Sequence, residues 1–123
     1  FIGSDGVFQG GVISPGLKMR MKSMANYTNR LPDISSVWES LELNSVGKST
    51  QECLLSGAFM GIVHELNGII ETISKDFTSI NVILTGGDSQ YFESRLKAPI
   101  FAGSKIVQIG LYGIWKNIAI GNN

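Results

Sequence analysis

The stretch Asn81-Val82-Ile83-Leu84-Thr85-Gly86-Gly87-Asp88 has the residue types and order that most directly suggest chemistry. Val82 to Leu84 is a short apolar run suited to a strand buried on both faces, two glycines break it, and Asp88 stands where it can cap a helix over Ser89 to Leu96. That succession offers exposed amide donors beyond the carboxyl end of a strand, where open α/β sheets collect nucleotides and phosphates. An ordinary strand-to-helix turn has the same signature, because Gly-Gly is common turn punctuation. The second candidate is Gly47-Lys48-Ser49-Thr50. It is not a phosphate-binding loop, since that motif needs a glycine where Glu42 stands. Ser49 and Glu52 instead have the spacing of a capping box, which starts a helix at Thr50 and presents its hydroxyl with the first-turn amides. Thr50 can hydrogen-bond a ligand there, or serve as a plain first-turn residue.

Other reactive types are few. The single cysteine, Cys53, excludes an internal disulfide and every multi-cysteine zinc pattern, and the lone His64 cannot build a histidine-rich metal site. His64 is expected to be packed or hydrogen-bonded rather than catalytic, and Cys53 to be a small packed residue. With 10 basic and 10 acidic residues the formal charge is zero, so no global field holds nucleic acid or an anionic membrane. Any bound anion must be held locally. No stretch reads as a run of roughly 20 apolar residues, and no charged segment followed by an apolar signal core opens the chain. The expectation is a cytoplasmic protein with no membrane or nucleic-acid partner.

A chain of 123 residues suffices for one domain with a modest core. Gly3-Ser4-Asp5-Gly6 reads as a hairpin turning at Asp5-Gly6, with so short a first arm that the sequence is expected to be a fragment of a longer protein. Gly10-Gly11-Val12-Ile13 leads to Ser14-Pro15, a capping serine and a first-position proline for a helix over about Gly16 to Tyr27. Leu17, Met21, Met24 and Thr28 share one face of it, and Lys18 and Lys22 a solvated one. Ile34, Val37, Trp38, Leu41 and Leu43 are anchors of an irregular stretch. A long helix follows over about Thr50 to Lys75, with Leu55, Phe59, Ile62, Leu66, Ile69, Ile70 and Ile73 as its core stripe. Its second stripe, Gly57, Gly61, His64 and Gly68, suggests a close helix neighbour within the subunit or across a dimer axis, because each glycine costs about 1 kcal/mol against alanine. Ala98 to Phe101 reads as a connection, Lys105 to Ile109 as a strand, and Leu111 to Ile118 as a closing helix with a frayed Gly121-Asn122-Asn123 tail. The order describes one layered α/β lobe.

Taken together, Gly10-Gly11-Val12-Ile13-Ser14-Pro15-Gly16-Leu17, Thr28 with Leu31-Pro32, Gly47-Lys48-Ser49-Thr50, Leu84-Thr85-Gly86-Gly87-Asp88 and Gly110-Leu111 resemble, in order and approximate spacing, the C-terminal half of type III pantothenate kinases, also known as the Baf family of transcriptional activators. The resemblance implies a ribonuclease H-like lobe of the actin-like ATPase superfamily, incomplete at its N-terminal strand. It further implies ATP-dependent phosphorylation of pantothenate, the first step to coenzyme A, in a homodimer that needs a monovalent cation, potassium or ammonium. Thr50 falls where the family contacts pantothenate, Gly86 and Gly87 where the superfamily turns around the nucleoside, and Gly10 and Gly11 just after a phosphate loop whose edge they shape. Asn29, where the family often has alanine, touches none of these roles. The family's Gly-x-Asp-Arg segment, with its catalytic aspartate, and its Asp-x-Gly-Thr cation segment are expected to precede Phe1. No catalytic residue is therefore assigned within this chain. A non-catalytic regulatory protein of the same fold is the alternative, and a sugar or acetate kinase of the superfamily fits the glycine motifs less well.

Overall fold

In the first residues, Gly3 N–H donates to Val7 O and Gln9 N–H to Phe1 O, closing the expected hairpin with a single antiparallel bridge between Ile2 and Phe8. Gly6, at φ +76°, supplies the turn. The computed structural model describes residues 1–77, 79–103 and 105–121 of the chain. Two compact units divide it, residues 1–59 and 60–123, and the long helix runs through the division.

In the first unit, helix α1 spans Leu17–Asn26. Leu17 and Met21, one turn apart, are both 1% exposed, and complete burial of such side chains stabilises by about 1.5–3 kcal/mol each. Its start differs from expectation. Gly16, not Ser14, is the N-cap residue, and Ser14 and Pro15 are held from inside the helix by Arg20, whose Nη2 donates to Ser14 Oγ (2.8 Å) and whose Nε donates to Pro15 O (2.8 Å). A guanidinium reaching back past the helix start has occupied the serine hydroxyl that would have capped the amides. At the other end the Thr28 hydroxyl, just beyond the helix, donates to Met24 O at 2.6 Å. The irregular stretch then buries Ile34 and Trp38, the latter in a short 3₁₀ turn over Trp38–Ser40, while Val37 is exposed rather than an anchor. Trp38 meets Phe59 with ring centroids 6.4 Å apart.

Helix α2 spans Thr50–Ser74, close to the expected bounds. Leu55, Phe59 and Ile62 of the expected stripe are buried, joined by Leu54, Ala58 and Val63, whereas Leu66, Ile69, Ile70 and Ile73 are half-buried. By length and composition α2 could cross a membrane, which corrects the sequence reading that no stretch approaches a span. Its buried face and the polar Glu65, Asn67 and Glu71 mark it as a core helix instead. On the glycine stripe, the space beside Gly57 and Gly68 is open, so no neighbour among the described residues explains those two glycines.

The second unit continues with β1 (Val82–Leu84), α3 (Ser89–Phe92) running into a 3₁₀ turn (Glu93–Arg95), β2 (Ile100–Ala102) and α4 (Ile106–Gly121). β1 and β2 form a parallel pair, Val82 opposite Ile100, Ile83 opposite Phe101 and Leu84 opposite Ala102. Two expectations change here. Ala98 to Phe101 contributes to a strand rather than a connection, and Lys105 to Ile109 opens a helix rather than forming a strand. β1 is also not buried on both faces: Ile83 is 57% exposed in this two-stranded sheet. Exposed apolar side chains line α4, Val107, Ile109, Leu111, Ile114, Trp115 and Ile118 among them. Asn122 and Asn123 of the expected frayed tail lie outside the described residues.

Candidate functional site

The first candidate lies at the start of α2, in the first unit. Ser49 Oγ accepts from Glu52 N–H (3.3 Å) and Ser49 O from Cys53 N–H (2.8 Å), so Ser49 caps the helix and Thr50 is its first residue, as the spacing requires. The Glu52 carboxylate closes the return bond on Lys48 N–H (2.8 Å), one residue earlier than the usual box. Gly47 lies against the first turn so closely that a Cβ there would collide with Cys53 N and Glu52 C and sit 2.8 Å from Cys53 Cα. The Cys53 thiol donates to Gly47 O at 3.3 Å, and Cys53 is exposed rather than packed. Ser56 fastens the same approach one turn on, donating to Asn44 O at 2.6 Å. Thr50 is exposed, and its hydroxyl makes no hydrogen bond among the described residues. A rigid, capped helix start thus carries an outward hydroxyl able to donate to or accept from a polar small molecule.

The second candidate is the turn after β1, in the second unit. Gly86 has φ +101°, a conformation L side chains rarely adopt, and Gly86 and Gly87 both have open space where a Cβ would stand. Gly86 O accepts from Ser89 N–H (3.2 Å) and Asp88 O from Tyr91 N–H (3.1 Å). Asp88 is the N-cap residue of α3, as expected, but its carboxylate makes no cap bond: the residue lies at φ −90°, ψ −2°, and the backbone carbonyl of Gly86 takes the Ser89 amide. The helix that follows is one turn long. The corner can therefore admit a flat group against its main chain, with the Ser89 and Tyr91 amides already spent on Gly86 O and Asp88 O. Gly10, the third expected corner, has φ +116°, with open space at it and at Gly11.

A cleft of about 690 Å³ opens elsewhere in the second unit, lined by His64, Asn67, Glu71, Ser74, Lys97 and Pro99 among others. Asn67 builds its wall: its amide donates to Val63 O (2.9 Å) and Arg95 O (3.3 Å) and accepts from Lys97 N–H (2.8 Å). His64 is exposed on this wall and makes no hydrogen bond among the described residues, so it is neither packed nor hydrogen-bonded as expected. No group of three or more metal-ligating side chains occurs among the described residues.

A sequence profile of the family described as type III pantothenate kinase matches residues 1–72, more than half of the chain. The chain belongs to the type III pantothenate kinase family. Its relatives include type III pantothenate kinases of Cytophaga hutchinsonii, 44% identical over 111 residues, 90% of this chain and 46% of that protein, and of Phocaeicola vulgatus, 38% identical over 111 residues, 90% and 45%. A third, from Christiangramia forsetii, is 41% identical over 107 residues, 87% and 43%. The chain thus spans about half the length of the curated relatives it matches.

For this member of the type III pantothenate kinase family, the profile match includes Gly10, Gly11 and Thr50 and stops before Gly86 and Gly87. Thr50 belongs to the first compact unit with Gly10 and Gly11, and Gly86 and Gly87 to the second. Sequence reasoning missed the Asn67 clamp, because Arg95 and Lys97 stand some thirty residues away with no periodic signal linking them. It also missed the partner of the Gly86 corner, since β2 was read as a connection. The β-branched and aromatic character of Ile100-Phe101 was the available clue.

Proposed function

We propose that this chain is the C-terminal part of an ATP-dependent kinase that phosphorylates pantothenate to 4'-phosphopantothenate in the cytoplasm, the first step toward coenzyme A. The observation that carries the reading is the 44% identity to a type III pantothenate kinase over 90% of the chain. In this reading the chain is a ribonuclease H-like lobe of an actin-like ATPase fold, Thr50 hydrogen-bonds pantothenate from the capped start of α2, and Gly86 and Gly87 let the nucleoside of ATP approach the β1 exit. The outward Thr50 hydroxyl and the positive φ of Gly86 support those roles. Neither residue supplies a general base, and phosphoryl transfer needs one positioned beside charge-stabilising groups. No Gly-x-Asp-Arg or Asp-x-Gly-Thr segment occurs among the 123 residues, so the chain alone is inactive and the intact parent brings the aspartate and the site for a monovalent cation. The parent is a homodimer in this reading, an assembly supported by the open space beside Gly57 and Gly68 on α2.

The test is a coupled assay for 4'-phosphopantothenate with the intact parent and with this chain alone, each given ATP, magnesium and a potassium or ammonium salt. The reading predicts turnover by the parent and none by the chain. A parent that binds ATP but leaves pantothenate unchanged overturns it, and turnover by the chain alone overturns the assignment of the catalytic groups outside it.

A further inference from the structure

The glycine corner after β1 is held by a device that the proposed roles of Gly86 and Gly87 do not include. At the carboxyl ends of the parallel pair, Gly103 N–H donates to Leu84 O (3.1 Å), which carries the ladder one rung past β2. The next rung is made by a side chain: the Thr85 hydroxyl donates to Gly103 O at 2.8 Å. Gly103 thus meets two successive residues of the β1 exit, Leu84 through its N–H and Thr85 through its carbonyl, which also accepts from Ile106 N–H at 3.3 Å. On the far side of the corner the Gly86 carbonyl is tied to Ser89 N–H. The positive-φ residue is bracketed, one bond before it and one after.

The Thr85 bond is exposed, so its net worth to stability is small, and its consequence is geometric. A β-branched residue has few χ1 choices, and fixing its hydroxyl on a neighbouring strand fixes the peptide plane that enters Gly86. Without it, glycine's backbone freedom leaves the corner several ways to turn. We propose that Thr85 is a positioning residue for the nucleotide: its bond to Gly103 sets the one orientation of the Gly86-Gly87 main chain that admits the nucleoside. The inference rests on the nucleotide reading of that corner, and it assigns the positioning of that corner to a hydroxyl that need not touch the ligand.

The experiment uses the intact parent and titrates ATP and pantothenate separately by calorimetry, which needs no turnover. Thr85→Val keeps the shape and removes the donor, and Thr85→Ser restores the donor. The expected result is an ATP Kd raised about fivefold in Thr85→Val, with pantothenate Kd and the urea midpoint unchanged, and a return to within about twofold in Thr85→Ser; fivefold corresponds to about 1 kcal/mol, the usual worth of one hydrogen bond. Equal ATP affinity in Thr85→Val and wild type overturns the proposal, as does equal weakening of both ligands, failure of serine to rescue, or a parent with no ATP affinity. A parent that binds ATP but does not phosphorylate pantothenate overturns the proposed function while leaving the Thr85 comparison readable.

Discussion

Gly47 in the first unit and Gly86 in the second are both glycines at the entrance to a helix, and they are glycine for opposite reasons. Gly47 has no positive φ but no room: its α-carbon is pressed on the backbone of Glu52 and Cys53. Gly86 has ample room but a φ of +101°. The first is a packing requirement, in which the chain is laid across the start of α2 so that Glu52 and Cys53 bond back to Lys48 and Gly47. The second is a conformational requirement, in which the chain turns with no described residue filling the space left beside it. A crowded glycine builds a helix terminus, whereas a strained and uncovered one leaves a face of main chain open to a ligand.

Alanine scanning separates the two. Gly47→Ala should cost about 3 kcal/mol, the upper end for overpacking because the colliding atoms are backbone and cannot swing away, read as a lower urea midpoint of the intact parent. An unchanged midpoint would mean that the chain at Gly47 is not held tightly against the first turn of α2. Gly86→Ala should cost about 1–2 kcal/mol for forcing an L residue into a left-handed conformation, with the larger effect on ATP affinity. Ser49→Ala, which removes the cap beside Gly47, should cost about 1 kcal/mol without altering ATP affinity, and Ser49→Asp should restore it.

The smallest effect is on acid stability, and it belongs to the first unit. The Asp33 carboxylate accepts from Ser35 N–H at 2.8 Å, and that bond first, then the Ser35 side chain and the charge of Lys22, hold its pKa below the ordinary aspartate range. A lowered folded-state pKa gives stability that is present above the unfolded value of about 3.9 and lost as pH falls through the folded value. Trp38, buried in this unit, should therefore report a small loss below about pH 4 in a Trp115→Phe background, and Asp33→Asn should flatten that limb. An unchanged limb in Asp33→Asn would place the acid sensitivity elsewhere.

The two corners also differ in how far they could be read from residues alone. Ser49 and Glu52 carry a local code, four residues that satisfy each other, so the start of α2 at Thr50 was legible to the residue. The end of β1 at Leu84 was legible for the same reason, because two glycines follow it. What holds the Gly86 corner was not, since Thr85 and Gly103 are eighteen positions apart and meet through parallel pairing. Five alternating residues from Lys105 to Ile109 fit a strand as well as a helix, and the continuation of the apolar pattern to Ile118 favoured the helix observed from Ile106. Ser14 misled because its capping hydroxyl is claimed by Arg20, six residues on. His64 could be placed on α2 but not on a cleft that Lys97 and Pro99 also line.

The account stands most directly on a pair of substitutions in the intact parent, Thr50→Ala and Gly86→Ala, each assayed for the KM of pantothenate and of ATP. It predicts a crossed pattern, with Thr50→Ala raising the pantothenate KM several-fold more than the ATP KM and Gly86→Ala doing the reverse. Parallel shifts in both constants, or the opposite crossing, would contradict the assignment of the capped helix start to the acceptor substrate and of the glycine corner to the nucleotide.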